Sequence, residues 1–482
     1  MLQHFRERLT LLLIALLPLH AFLVTVGTKL LAGKGHAPLA YLAIWKEALL
    51  GVILVLAVAE LLQSEKWPFG HKGPHALNGK VESRKLWKGD AIDGLILALL
   101  LLGLVVTVFT HGDWKLGLLG LKYDFVPLIA FLIARRVPWS DNFRHCAWKV
   151  LLGVGVVVAA YGILTAFLPM QFFLWLGYSP AHSLYFADGP LAAFQQVSDT
   201  GLRRIQSTMS GPNQLGLWLL LPLSVCLVRM FSRRAVSDKR LAISMLTVCI
   251  LFVSVALFLT FSRAAWIAAF VIGMVVILQS VPRRLLRSVA VGAVLIVVGI
   301  AVIASFLFPS VFFRLSSSRG HLVRPLQAIG RMAAHPFGEG LGAAGPASNR
   351  VSETCVFLRP QDDPSWAKTT PSLCVFLGST QVQPADHVCR CPFLPENWYL
   401  QIGVEMGVAG FTLFLVLVVV VLRRLRELGN SGNRELGQIA FLVFLDISIA
   451  ALFLHAWEDS AVSYTVWLLS ALQLPLRRSE KG

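Results

Sequence analysis

About twelve runs of roughly twenty apolar residues recur along this chain, and that recurrence restricts it to a helical membrane protein. A helix rises about 1.5 Å per residue and the hydrocarbon core of a bilayer is about 30 Å thick, so a run of this length carries a helix across. The first six are predicted near Leu9 to Thr28, Ala40 to Leu62, Ile92 to Thr110, Leu116 to Ala134, Trp148 to Leu168 and Leu215 to Phe231. Six more follow near Leu241 to Thr260, Ala264 to Ser280, Ser288 to Phe308, Trp398 to Leu422, Leu436 to Leu454 and Ala461 to Leu476. The runs are apolar on all sides, whereas barrel strands would alternate with period two. Only 14% of the residues are charged and the mean hydropathy is +0.69, values that a water-facing surface does not tolerate.

A net charge of +17 would suit nucleic acid, but the placement of the basic residues argues for a membrane face instead. The majority of the 43 lysines and arginines lie at the two ends or in the loops after even-numbered runs, for example Arg6, Arg8, Lys85, Arg136, Arg234, Arg284, Arg424 and Arg478. The positive-inside rule then predicts that both termini are cytoplasmic. The first run is longer than a signal-peptide core and lacks a small-x-small cleavage site, so it is expected to stay as a helix. Nucleic acid is excluded as a partner; the lipid bilayer is the expected one.

Two long connections fall on the outer side in this topology, 169–214 and 309–397. The chain therefore divides into residues 1–308 with nine spans, the large loop 309–397, and 398–482 with the last three spans. Loops this long without structure are uncommon unless they carry function or are disordered. Four of the seven cysteines, Cys355, Cys374, Cys389 and Cys391, lie in the second loop, on the oxidising side. Cys389 and Cys391 are too close in sequence to bridge comfortably, so each is expected to pair with Cys355 or Cys374. A zinc site using His387, Cys389 and Cys391 is the rival reading; it lacks a second pair of ligands.

Ionisable residues at membrane depth are costly and need partners. Lys46, Glu47, Lys122, Asp124 and Asp446 are expected to pair between helices or to reach the interface. Three segments near the outer boundary carry more information. Arg203 and Arg204 precede Ser-Gly-Pro212-Asn213, a helix start whose backbone N–H groups suit an anion beside two arginines. Arginine fits a diphosphate because its planar fork donates two parallel hydrogen bonds. Ser262-Arg263 forms so short a turn between two runs that Arg263 is confined to the boundary. Pro395-Glu396-Asn397 is followed by nine residues and then Gly407-x-x-Gly410. Partial desolvation there would raise the Glu396 pKa and let it take a proton from a hydroxyl, and the two glycines would permit close helix packing.

These segments, in this order and at these positions, resemble the O-antigen ligase and O-antigen polymerase superfamily of membrane glycosyltransferases. That family has about twelve spans, a basic residue ahead of a Pro-Asn helix start, a Ser-Arg turn, and a large outer loop closed by His, then Asn, Ser or Gln, nine residues and Gly-x-x-Gly. Here Asn397, the nine-residue gap and both glycines match, while Glu396 occupies the place of the histidine. His335-Pro336-Phe-Gly-Glu-Gly-Leu-Gly342 resembles a Pro-x-Gly-x-Gly stretch of the same loop.

The resemblance implies an all-α, GT-C-like fold in a bacterial inner membrane. It also implies inverting, metal-independent transfer of a glycan from an undecaprenyl diphosphate carrier to a sugar hydroxyl on a glycan or on lipid A core. Arg204 and Arg263 are expected to hold the diphosphate and Glu396 to act as base, with His335, His321 or His455 as other candidates for that role. Arg203, Asn213, Asn397, His335 and His455 are expected in substrate binding, and no cofactor is implied. A transporter or flippase of lipid-linked glycans would use the same basic surfaces without needing a proton acceptor, and a noncatalytic scaffold would need neither.

Overall fold

The computed structural model describes residues 1–63, 89–110, 113–180, 189–197, 201–231, 239–280, 288, 292, 315–358, 360–369, 373–430 and 434–476. Helices occupy eleven of the twelve predicted runs. They are Leu2–Leu16 continued through a 3-10 turn by His20–Ala32, then Trp45–Gln63, Ala91–Thr110, Trp114–Ala134, Asp141–Thr165 and Pro212–Phe231. Lys239–Leu259, Arg263–Ser280, Trp398–Gly429, Arg434–Ala450 and Ser460–Gln473 complete the set. Apart from residues 288 and 292, the predicted run from Ser288 to Phe308 lies outside the described residues, as do the basic segments 64–88, 232–238, 281–287 and 477–482.

The described fold is mostly helical. Seven of its helices, counting Leu2–Ala32 as one, are long and apolar enough to cross a bilayer. Several helix starts are fixed by side chains that satisfy the orphan N–H groups of a first turn. Asp113 accepts from Lys115 and Leu116, Ser140 from Phe143, Asn397 from Leu400, and Asp459 from Ala461 and Val462. Pro212–Phe231 is the most deeply buried of the seven and packs against the helices at 141–165, 239–259, 263–280 and 434–450.

Of the five ionisable residues expected to pair between helices or to reach the interface, Lys46, Glu47, Lys122 and Asp446 have partners, whereas Asp124 is buried and meets no cation among the described residues. Glu47 receives Lys46 at 3.2 Å and Lys122 at 2.9 Å, and Ser224 donates to Asp446. Arg135 is locked between Asp90 and Asp93 at 2.6 and 2.8 Å and also donates to the Leu474 carbonyl.

The segment before Trp398 is structured. It holds the helix Leu315–Ala334, the short helix Gly345–Val351, and a three-stranded sheet. Cys355–Leu358 runs parallel to Cys374–Leu377, which pairs antiparallel with Thr380–Gln383. Disulfides join Cys355 to Cys391 and Cys374 to Cys389. Each of Cys389 and Cys391 thus bridges to one of the two expected partners, and their thiols are not available as zinc ligands.

Gly407 and Gly338 bring this segment onto the Trp398–Gly429 helix. The helix breaks at Gly407, whose φ of 69° and ψ of −169° leave the helical region. The broken ladder is filled by the turn after His335: Glu339 and Gly340 donate to the carbonyls of Val404 and Glu405, and Val408 donates to that of Pro336. A Cβ on Gly407 would lie 2.1 Å from the Pro336 carbonyl oxygen, and one on Gly338 would lie 2.4 Å from that of Glu405. Sequence predicts that the Gly407-x-x-Gly410 pair serves the packing of intact helices. Gly407 instead supplies a positive-φ break that admits a second backbone, which only a residue without Cβ can do.

Candidate functional site

Five of these helices direct their N-terminal ends at one cavity of about 1130 Å³. Lys46 near the start of Trp45–Gln63, Asn213 of Pro212–Phe231, Arg263 of Arg263–Ser280, Glu396 just ahead of Trp398–Gly429 and Asp459 capping Ser460–Gln473 all line it. Helix N-termini carry partial positive charge and unpaired N–H groups, so their convergence favours an anionic ligand.

Of the residues singled out from sequence, Arg204, Arg263, Glu396, Asn213 and His455 line this cavity, as does His321. Arg204 sits on a two-stranded ribbon in which Gln195 pairs with Arg204 and Gln196 with Arg203. Its Nε donates to the Thr260 carbonyl at 2.9 Å and its Nη2 to Asn213 Oδ1 at 2.8 Å. Thr260 opens the turn that carries Arg263, so one hydrogen bond ties the two arginine segments together. Asn213 therefore fixes the Arg204 fork as well as bordering the cavity.

Glu396 is the centre of a second group. His321 Nδ1 and Arg324 Nη1 each meet one oxygen of its carboxylate. Its backbone N–H donates to His455 Nε2 at 3.2 Å. That bond leaves Nδ1 of His455 as the protonated nitrogen, and it donates to Gln401 Oε1 at 2.5 Å. Gln401 in turn donates to Glu458, which also accepts from the Ala347 N–H.

Burial pushes the Glu396 carboxyl upward, but the hydrogen bond from His321 and the charge of Arg324 outweigh it, and the group lies below the ordinary carboxylate range. The raised pKa predicted from partial desolvation alone is thus reversed by partners from a helix that sequence placed in a loop. Burial lowers His455 to about 4, opposed by the Glu396 charge and aided by that of Arg324. His455 is then neutral near pH 7 with its lone pair engaged by Glu396, so it positions the carboxylate and is poorly placed to act as a base itself.

Backbone geometry marks the same residues. Among the described residues only Ser207, Phe261 and Glu396 have positive φ without being glycine, at 53°, 51° and 54°. Such conformations cost on the order of 1–3 kcal/mol and persist where surrounding structure imposes them, often at functional sites. One lies three residues after Arg204, one two residues before Arg263, and the third is Glu396 itself.

Three expected substrate-binding residues lie elsewhere. Arg203 stacks over Phe194, 4.4 Å from the ring centroid, and donates to the Leu168 carbonyl. Neighbours on a strand point to opposite faces, so Arg203 and Arg204 cannot both face the cavity. Asn397 caps its helix through Oδ1 and donates from Nδ2 to the Leu452 carbonyl. His335 is exposed after the last turn of Leu315–Ala334, and the backbone that follows it, not its ring, makes the contact with the broken helix. Sequence reasoning missed Arg324, Gln401 and Glu458; an arginine one helical turn from His321 was the available signal for the first.

Compared with known proteins, the chain matches no protein-family model and no curated protein.

Proposed function

We propose that this protein transfers a glycan from an undecaprenyl diphosphate carrier to a sugar hydroxyl, as an inverting and metal-independent enzyme of the O-antigen ligase and polymerase type. The observation that carries the reading is that Arg204, Arg263 and Glu396, from three separate elements, border one cavity at which helix N-termini converge. In this reading the twelve spans sit in a bacterial inner membrane with both termini cytoplasmic, and the cavity faces the outer side.

The diphosphate lies against Arg204, Arg263 and the first turns of the helices Pro212–Phe231 and Arg263–Ser280. The acceptor hydroxyl oxygen attacks the anomeric carbon from the face opposite the diphosphate, the bond from that carbon to the phosphate oxygen breaks, and undecaprenyl diphosphate leaves. The arginines stabilise the charge that grows on the leaving group. The hydroxyl proton passes to Glu396, which His321 and Arg324 hold ionised. A carboxylate of lowered basicity takes that proton late, once bond formation to carbon has made the hydroxyl acidic. The acceptor is a growing glycan or lipid A core.

Purified protein in detergent, given lipid-linked glycan and acceptor without any ion gradient, is expected to release undecaprenyl diphosphate. No release would overturn the transferase reading in favour of transport. Glu396→Gln is expected to lower turnover about 10²- to 10⁴-fold, the usual contribution of a positioned base, and Arg263→Ala about 10²- to 10³-fold, as for loss of one charge-stabilising donor. Retained turnover in Glu396→Gln removes Glu396 as the base.

A further inference from the structure

The helix Leu315–Ala334 is amphipathic in the wrong sense for a segment surrounded by water. A helix on an aqueous surface buries its apolar stripe and exposes its charges. Here the charged side chains are half-exposed and each is paired to a carboxylate: His321 and Arg324 reach Glu396, and Arg331 meets Glu339 at 3.0 Å while lying over the Phe393 ring. The apolar stripe turns outward. Leu322 is 69% exposed, Leu326 67%, and Ile329 is exposed too, at spacings of four and three residues that place them on one face.

That stripe does not end with the helix. Phe337, 84% exposed, follows it, and the neighbouring Pro336 carbonyl accepts from Val408, an exposed residue of the membrane-length helix Trp398–Gly429. Val416 and Val419 continue the exposed apolar surface along the same helix. Leu322 also lines the cavity, as does Ile267, an exposed residue of the membrane-length helix Arg263–Ser280.

We infer that the Leu315–Ala334 helix lies against bilayer hydrocarbon, with Leu322, Leu326, Ile329 and Phe337 in contact with acyl chains, and that it forms a lipid-facing wall of the cavity. The exposed stripe identifies the occupant, because an apolar medium favours leucines and isoleucine on the outside while the half-exposed His321, Arg324 and Arg331 are each paired to a carboxylate, and the stripe is continuous with the exposed apolar surface of a helix able to span the membrane. A ligand on a hydrocarbon chain then reaches Glu396 sideways, past Leu322, with its chain still in the leaflet. The membrane contact rests on the exposure pattern and not on the glycosyl transfer reading.

The test is photocrosslinking of the full-length protein in vesicles of phosphatidylethanolamine and phosphatidylglycerol. Benzoylphenylalanine is introduced in place of Leu326 or Ile329, and in place of Val388, an exposed residue beside the disulfide-bonded Cys389, as an aqueous control. After irradiation, phospholipid adducts at 326 and 329 and none at 388 are expected by mass spectrometry. Adducts to a second polypeptide at 326 and 329, or no adduct there, overturn the inference, as does equal lipid labelling at 388. Two positions on the stripe guard against one variant failing to fold, and the readout is independent of turnover.

Discussion

Arginine meets carboxylate in two regions of this protein, and their surroundings differ. At the C-terminal end of the Trp114–Ala134 helix, the Arg135 side chain is 2% exposed, is held by Asp90 and Asp93, and donates to the Leu474 carbonyl. At the cavity, Arg324 meets a Glu396 side chain that is 19% exposed, borders about 1130 Å³ of space and stands on a strained backbone. In the first region charges close on one another and join helix ends. In the second, pairing tunes and orients a carboxylate that still faces a ligand-sized space. The same residue types thus do structural work where protein surrounds them and are available for chemistry where it does not.

The largest effect that separates the two regions is on stability. Arg135→Ala takes the closest cation from buried Asp93, which keeps Arg136 at 3.0 Å, so the loss is expected to approach, without exceeding, the ~3–5 kcal/mol of a fully broken buried pair. Arg324→Ala removes a half-exposed partner and is expected to cost about 1 kcal/mol or less, as exposed pairs do. Thermal unfolding in detergent should show a clear drop for the first and a small one for the second. Equal losses would erase the distinction.

An intermediate effect concerns pH. If Glu396 is the base, as proposed, it must be ionised to accept a proton, so activity is expected to fall as pH drops through its pKa, which lies below the ordinary carboxylate range. Arg324 is one of the charges holding it there, so Arg324→Ala should move the acid limb of the kcat/KM profile to higher pH while changing turnover near pH 7 little. The same sign governs stability, since a depressed carboxyl pKa stabilises the fold above the unfolded value and that contribution is lost as pH falls through the folded one. An unmoved acid limb in the variant would show that another group titrates.

The helices that build the bundle were legible because hydrocarbon imposes long apolar runs, and Arg204, Arg263 and Glu396 stood out because each lies at the edge of such a run. Side-chain direction was not legible. Arg203 and Arg204 are equivalent in sequence until a ribbon turns one toward Phe194 and the other toward Asn213. The helix Leu315–Ala334 escaped because its charges break the hydropathy signal, and with it went Arg324 and the sign of the Glu396 shift. The meeting of Gly338 with Gly407 joins distant segments whose glycines each read locally as a turn or a packing site. Pairwise contacts across such distances leave no periodicity to find.

The smallest effect tests whether the comparison extends to a residue beside Glu396. Asn397 matches the family-like motif, yet its Oδ1 accepts from the Leu400 N–H and its Nδ2 donates to the Leu452 carbonyl, both within the protein. By the criterion that separates Arg135 from Glu396, it belongs with the closed set. Asn397→Ala should then cost about 1 kcal/mol of stability, the usual value of an N-cap. Asn397→Ser and Asn397→Thr keep a capping oxygen without setting a carboxylate against the Leu452 carbonyl and should restore most of that loss, with KM for the proposed lipid-linked donor unchanged in both. A raised KM in the stable capping variants would instead place Asn397 against the substrate, and closure of a side chain on protein partners would no longer distinguish scaffold from site.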